Sequence, residues 1–264
     1  MQLTVIVTPG APARGHQLCM RSLEEQPELA SGQILTGKPG EALSQASGGW
    51  VVVLSNRYRP QAGWAAAILR EHGNGADVVA GCVAPAATLS YFGWCAYLAE
   101  YSHLAPPMNR QPDLKDPRLV AAGNVSYRRD LVASVPSLDA LEEVSFHRSL
   151  LDGGARICFA PDMAVEFVSS PSLGEYARER FQRSRTEAAV RANDIGRGRA
   201  SVAAFARLAL PPLLVARLLR DVARRGRYRI AVLACLPVLT AFALWQMVAE
   251  MGGYLFPPRG TERI

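Results

Sequence analysis

Apolar residues follow two regimes along this chain. In the first, short β-branched runs alternate with stretches of helical spacing. Residues 3–7 (Leu-Thr-Val-Ile-Val) read as a buried strand closed by Thr8-Pro9-Gly10. Residues 16–26 place Leu18, Cys19 and Leu23 at helical spacing and stop at Pro27. Ile34-Leu35 is a weak strand, and residues 41–46 form a short helix. Residues 50–54 (Trp-Val-Val-Val-Leu) make the strongest strand, bounded by Gly48-Gly49 and a polar turn. A run apolar at every position suits a central parallel strand covered on both faces. The spacing then predicts a helix over 63–72, a strand over 77–83, an aromatic-rich helix over 91–101 and a Pro-rich loop over 106–117. A helix over 138–151 carries acidic residues in its first turn, which suits the helix dipole. Strands over 156–159 and 164–168 and a long basic helix over 173–192 complete the regime.

Strands alternating with helices imply an α/β sheet with right-handed crossovers. Ligands of such sheets sit beyond the carboxyl ends of the strands. The loop Ser55-Asn56-Arg57-Tyr58-Arg59-Pro60, directly after the central strand, is therefore the first place to look for a site.

The second regime is more apolar. Residues 201–219 are broken by Arg207, Pro211, Pro212 and Arg217, which favours an interfacial helix and leaves a second membrane span open. Residues 230–249 carry no charge, a length that crosses a bilayer core. Arg224, Arg225, Arg227 and Arg229 precede this stretch, and Trp245 and Tyr254 lie towards its far end, where aromatic belts occur. Pro237 is tolerable there as a kink. The expected division is a main domain over 1–200, a basic interfacial segment over 201–229, a transmembrane helix over 230–256 and a short tail over 257–264. The positive-inside rule puts the main domain on the cytosolic side of the cell membrane.

Composition sharpens this picture at three points. With 49% hydrophobic and 20% charged residues, the 264-residue chain can form a packed core. The net charge of +6 is almost all arginine, Lys38 and Lys115 being the only lysines. The arginines crowd between Arg178 and Arg229, beside the apolar stretch, which favours an anionic membrane surface. Nucleic acid is disfavoured, because basic and aromatic residues do not interleave on one strand face. Cys19, Cys82, Cys95, Cys158 and Cys235 show no C-x-x-C spacing and read as buried thiols in a reducing cytosol. The opening residues lack the pattern of a signal peptide.

Four local patterns resemble the inverting, family-two glycosyltransferases of the GT-A fold. Val5-Ile-Val-Thr-Pro9 with Arg21-Ser22-Leu23-Glu-Glu-Gln26 is similar to the family's opening strand-Pro loop and S-L-x-x-Q helix. Ala122-Gly123-Asn124-Val-Ser-Tyr127-Arg128-Arg129 resembles its G-N-x-x-[FY]-R-R element. Leu141-Glu142-Glu143, followed by Gly153-Gly154 and the run from Arg156 to Pro161, resembles its acidic helix start, small-residue turn and strand. The stretch from Trp245 to Leu255 is similar to the W-x-x-x-G-E-x-x-G-Y-L ending of membrane-attached members.

The resemblance implies a GT-A-like, mostly parallel sheet. It also implies transfer of a sugar from a nucleotide-sugar or lipid-linked donor to a lipid or glycan acceptor at the membrane. Such transfer needs a base on the acceptor hydroxyl and a positive charge on the leaving diphosphate. By resemblance Glu143 is the base and Glu142 its support; dipole compensation at a helix start is the other reading of both. Where the family carries D-x-D to hold Mg²⁺ or Mn²⁺, this chain has Ser55-Asn56-Arg57, so no metal cofactor is expected. Arg57, with Arg59, is expected to bind the diphosphate directly, alongside Pro9, Ser55 and Asn56. The alternative is a surface loop in a protein that has lost catalysis. Between the first helix and Lys38 only residues 27–38 are available, so one strand–helix step is shortened. Gly123 and Asn124 are expected to shape the acceptor pocket and Arg128 and Arg129 to meet phosphate, the alternative being a turn and a solvated basic pair. Arg180, Gln182, Arg183 and Arg185 stand where the family has Q-x-x-R-W, and are expected to cover the site or touch lipid headgroups. Two functions remain in play: an active transferase, and a silent membrane-bound paralogue that scaffolds an active enzyme.

Overall fold

The computed structural model describes residues 2–10, 13–36, 39–121, 123–133, 135, 144–195, 197–225 and 228–256. The chain forms two compact units, one of Met1–Leu89 with His103–Ser169 and one of Ser90–Ser102 with Ser170–Ile264. In chain order the elements are β1 (Leu3–Thr8), α1 (Ala13–Glu24), β2 (Gln33–Thr36), α2 (Pro39–Gln45), β3 (Trp50–Ser55), β4 (Tyr58–Pro60), α3 (Trp64–Gly73) and β5 (Val78–Pro85). There follow α4 (Tyr91–Tyr101), β6 (Asn124–Arg128), α5 (Arg129–Val132), α6 (Val144–Asp152) and β7 (Ile157–Phe167). Helices α7 (Leu173–Ile195), α8 (Arg197–Ala206), α9 (Leu210–Arg225) and α10 (Arg229–Leu255) end the chain.

The first unit is built on a seven-stranded sheet in the order β2-β1-β3-β6-β5-β7-β4. Strands β1, β2, β3, β5 and β7 run the same way, whereas β6 and β4 oppose their neighbours. The α/β class and the mostly parallel sheet read from the sequence are both present. Val51, Val52, Val53 and Leu54 of β3 are all buried, as its apolar run requires. Each face of the sheet is covered. On one face, Trp64 and His72 of α3 bond to Asn124 and Ser126 of β6 at 3.0 and 2.8 Å. On the other, the Tyr127 hydroxyl meets Nε2 of His147 in α6 at 2.7 Å. Strand alternation sends these β6 side chains to opposite sides.

Two features of the sheet position the site. Strand β4 follows β3 after Asn56-Arg57 alone, yet it pairs with β7 at the far edge. Four strand spacings in a flat sheet would need about 19 Å, and two linking residues cannot bridge that, so the sheet curls. The second feature is a slip between β5 and β7: Gly81 pairs with Ala160, but Val83 pairs with Val165. The four residues 161–164 oppose one, Cys82, and this bulge is where the two strands expected over 156–159 and 164–168 merge into a single irregular one. Strands β4 and β6 were not among the expected elements. Between α1 and Lys38 the described chain holds one 3₁₀ turn, Pro27–Leu29, and one short strand, β2.

In the second unit α7 runs parallel to the later half of α10. Tyr176 packs on Phe242 with ring centroids 4.7 Å apart, and Phe181 on Trp245 at 5.0 Å. The Trp245 indole donates to the Ala177 carbonyl at 2.9 Å, and Arg180 donates to the Gln246 amide oxygen at 2.8 Å. A buried cluster of Ala188, Ala192, Ala200, Ala204 and Tyr254 ties α7, α8 and α10 together. The stretches Gly198–Arg220 and Arg229–Leu255 are long and apolar enough to cross a membrane.

Candidate functional site

The carboxyl ends of β1 and β3 lie side by side, in register from Leu3↔Trp50 to Thr8↔Ser55. Their loops therefore leave the sheet together. The Asn56 amide donates to the Thr8 carbonyl at 3.0 Å, and the Ser55 amide to the Gly123 carbonyl at 2.9 Å. Pro9 and Gly10 lie exposed beyond β1. The Arg57 side chain donates through Nε to the Gly10 carbonyl, and its backbone amide donates to the Ser55 hydroxyl at 3.3 Å. Gly10 leaves room for that approach: a Cβ there would lie 3.0 Å from Arg57 Nε and 3.4 Å from Ser55 Oγ, so the Arg57 side chain would have to give by a few tenths of an ångström. Gly123 has φ +76°, and a Cβ on it would meet that of Ser55 at 2.7 Å. Only glycine satisfies both demands cheaply. Pro9, Gly10, Ser55, Asn56, Arg57 and Gly123 thus form one cluster at the sheet's carboxyl edge.

Within that cluster Asn56 is buried and its side-chain oxygen Oδ1 has no hydrogen-bond partner among the described residues. A buried carbonyl oxygen without a donor is costly. An arriving ligand with an N–H or O–H group would satisfy it. Sequence reasoning placed Asn56 here but had no signal for this unmet acceptor, and it passed over Gly10, which the Pro9-Gly10 turn could have suggested.

Four of the expected residues are engaged within the protein itself. Arg59 lies on β4 and forms an ion pair with Glu166 of β7, in a cleft of about 400 Å³ lined also by Arg21, Ser22 and Glu25 of α1 and its end. Its charge is committed to that carboxylate, whereas Arg57 faces Gly10. Asn124 is fully buried and used at both ends. Its oxygen accepts from the Trp64 indole at 3.0 Å, and its amide donates to the Cys82 and Met163 carbonyls at 3.2 and 3.1 Å. Those two carbonyls belong to the β5–β7 bulge, where the ladder is interrupted. Arg128 and Arg129 are at the opposite edge of the sheet from this cluster. Because β6 is antiparallel to β3, Arg128 pairs with Trp50 at the amino end, while Asn124 pairs with Leu54 at the carboxyl end. Arg128 bonds to Asp77 and, at 2.6 Å, to Asp130; Arg129 reaches the Ser47 carbonyl at 3.5 Å.

Glu142 and Glu143 lie outside the described residues; α6 begins at the next residue, Val144. Arg180, Gln182, Arg183 and Arg185 belong to α7 of the second unit. The divalent ion that the resemblance implies does not fit Ser55-Asn56-Arg57. That triplet offers one hydroxyl, one amide oxygen and a guanidinium, with no carboxylate to neutralise a hard cation. Among the described residues no group of three His, Cys, Asp or Glu side chains converges for a metal.

No family model matches the chain, and no curated protein matches it by sequence. Solved structures of S. aureus TarS are similar to it in outline. The 1–349 form is 14% identical with a TM-score of 0.42, covering 97% of this chain and 89% of that one. The same form in complex with UDP-GlcNAc is 12% identical with a TM-score of 0.44, covering 97% and 90%. A longer TarS structure is 12% identical with a TM-score of 0.42, covering 97% and 54%.

Proposed function

We propose that the chain is a glycosyltransferase that takes a nucleotide-sugar donor at the carboxyl edge of its sheet and hands the sugar to a lipid or glycan acceptor at the cytosolic face of the cell membrane. The observation that carries this reading is the cluster of Arg57, Ser55 and Gly10 beside the unpartnered Asn56 oxygen. A guanidinium there supplies positive charge for the leaving diphosphate without a metal. The Asn56 oxygen accepts a donor hydroxyl or base N–H, and glycines at 10 and 123 let backbone approach the ligand closely. Glu143, adjoining the start of α6, is the proposed base on the acceptor hydroxyl, with Glu142 supporting it.

The test is donor binding by the full-length protein in EDTA, titrated with UDP-, GDP- and TDP-sugars. Loss of a charge-assisted contact is worth roughly 10- to 100-fold in affinity, so Arg57→Ala should weaken binding by that factor and Arg57→Lys by less. Unchanged affinity in Arg57→Ala would overturn the role of the guanidinium. Glu143→Gln should abolish transfer while donor binding persists.

A second reading, a silent paralogue that scaffolds an active enzyme, is favoured by the internal bonds of the loop. Arg57 rests on the Gly10 carbonyl and Arg59 on Glu166, so both arginines are engaged without a ligand. No nucleotide-sugar binding at millimolar donor would select this reading.

A further inference from the structure

The second unit carries its two apolar stretches bound to a charged helix. From Tyr176–Phe242 through Arg180–Gln246 to Gly253, α7 follows the later half of α10 turn by turn. At Gly253 the helices touch so closely that an added Cβ would fall on the Arg185 carbonyl and lie 2.7 Å from the Ala188 side chain. Along this seam α7 exposes Arg178, Glu179, Arg183, Arg185 and Glu187. The earlier stretch is held to the same seam: Ala200 and Ala204 pack on Ala188 and Ala192, and Arg207 pairs with Glu250 of α10 at 3.1 Å and donates to the Tyr254 hydroxyl at 2.9 Å. Glu250 also accepts from Gln246 at 2.8 Å. Neither stretch can enter the hydrocarbon core alone, and a crossing by α10 would carry the exposed charges of α7 into lipid, which rejects them.

The same unit exposes several large apolar side chains, Val202, Phe205, Leu208, Leu213, Ile230 and Leu233, each more than half exposed. Monomeric soluble proteins rarely show such a surface without a partner. Arg217, Arg220 and Arg229 lie on the helices that carry it, and the sequence adds Arg224, Arg225 and Arg227 ahead of Arg229. Arginines beside an apolar helical face suit an anionic bilayer surface.

We propose that this unit docks on one leaflet of an anionic membrane without crossing it, in place of the single span expected from the apolar run. Both chain ends and the link between α9 and α10 then share one side of the bilayer. This proposal is independent of the sugar chemistry, and its test does not read activity.

The experiment uses the full chain in membrane vesicles of defined orientation, with tags at each terminus and, separately, an Arg227→Cys variant. The five native cysteines are buried, which keeps background labelling low. The expected result is that both tags are digested by added protease, and the thiol introduced at position 227 is labelled by an impermeant maleimide, in the same vesicle orientation. A carboxyl-terminal tag protected where the amino-terminal tag is cut would mean one span. Tags on one side with the introduced thiol on the other would mean two spans. Recovery of the protein in the soluble fraction would mean no bilayer contact. Each of these three outcomes overturns the proposal. On vesicles containing anionic lipid, Leu213→Glu with Ile230→Glu should lower the bound fraction at least about tenfold; these side chains lie outside the α7–α10 seam, so the change should leave the helix content intact.

Discussion

Replacing Asn124 by alanine strands three groups in the core of the first unit: the Trp64 indole N–H and the carbonyls of Cys82 and Met163. None has an alternative donor or acceptor supplied by alanine. An orphaned buried group costs about 1–3 kcal/mol, so the variant should lose about 3–9 kcal/mol of a total stability on the order of 5–15 kcal/mol. The loss concentrates at the β5–β7 bulge, because the Asn124 amide stands in for the strand bonds missing between Cys82 and residues 161–164. Asn124→Asp is the sharper variant. It keeps an oxygen for Trp64 but turns a second oxygen on two carbonyls, so the carboxyl must hold a proton to donate to either. A carboxyl favoured in its protonated form stabilises at low pH and loses that contribution as pH rises. The penalty of Asn124→Asp relative to wild type should therefore grow with pH, while that of Asn124→Ala stays flat. Urea unfolding of the detergent-solubilised full chain, followed by tryptophan fluorescence, measures both. An Asn124→Ala stability within about 1 kcal/mol of wild type would refute the staple. So would an unchanged midpoint accompanied by a raised KM for acceptor, which would return Asn124 to a binding role.

Three further outcomes follow from the same geometry. Gly123→Ala forces a left-handed backbone on alanine, worth about 1–2 kcal/mol, and drives its Cβ against Ser55; thermal unfolding should fall and donor affinity with it, and an unchanged affinity would separate Gly123 from the site. Burial holds His72 near pKa 4, well below its ordinary 6.5, with its ring bonded to the Ala76 carbonyl and the Ser126 hydroxyl. The neutral ring stabilises the fold fully above pH 6.5, and as pH falls to 4 that contribution drains away, by about 3 kcal/mol at 1.36 kcal/mol per pH unit; His72→Gln should flatten this slope in a pH series of urea midpoints. Hydrogen bonds from Arg110 hold Glu71 down to about 2, so a second loss should appear as pH falls from 4.5 towards 2, and Arg110→Ala, by letting the folded-state pKa rise towards 4.5, should shrink that loss.

Much of the fold was legible because its signals are local. The unbroken apolar run of β3 announced a strand covered on both faces, and Pro27 ended the first helical pattern close to where α1 stops. The elements that escaped notice lack such signals. Strand β4 is three residues long and ends on Pro60, and it exists because the curled sheet brings β7 to it. Strand β6 carries Asn124 and Ser126 inward, a polar pattern that reads as a turn until His72 and Trp64 are known to meet it. Pro161 looked like a strand end, whereas the bulge absorbs it and leaves β7 continuous on either side.

The candidate site divides along strand direction. Loops after β1 and β3 meet because parallel neighbours deliver their carboxyl ends to one edge, a consequence of the α/β pattern that the sequence already carries. The Gly123–Arg129 stretch was read as a single acceptor element, yet an extended strand of five residues spans about 17 Å, and its two ends serve opposite edges of the sheet. Sequence adjacency therefore overstated what could act together: Gly123 shares an edge with Arg57, and Arg128 shares one with Asp77. The same logic limits any compensation for the missing carboxylates. Under the proposed function, positive charge for a diphosphate would come from the edge where β1 and β3 end, which leaves Arg57 to supply it in the first unit's cluster, since Arg59 is paired with Glu166 and the Arg128–Arg129 pair sits a strand's length away.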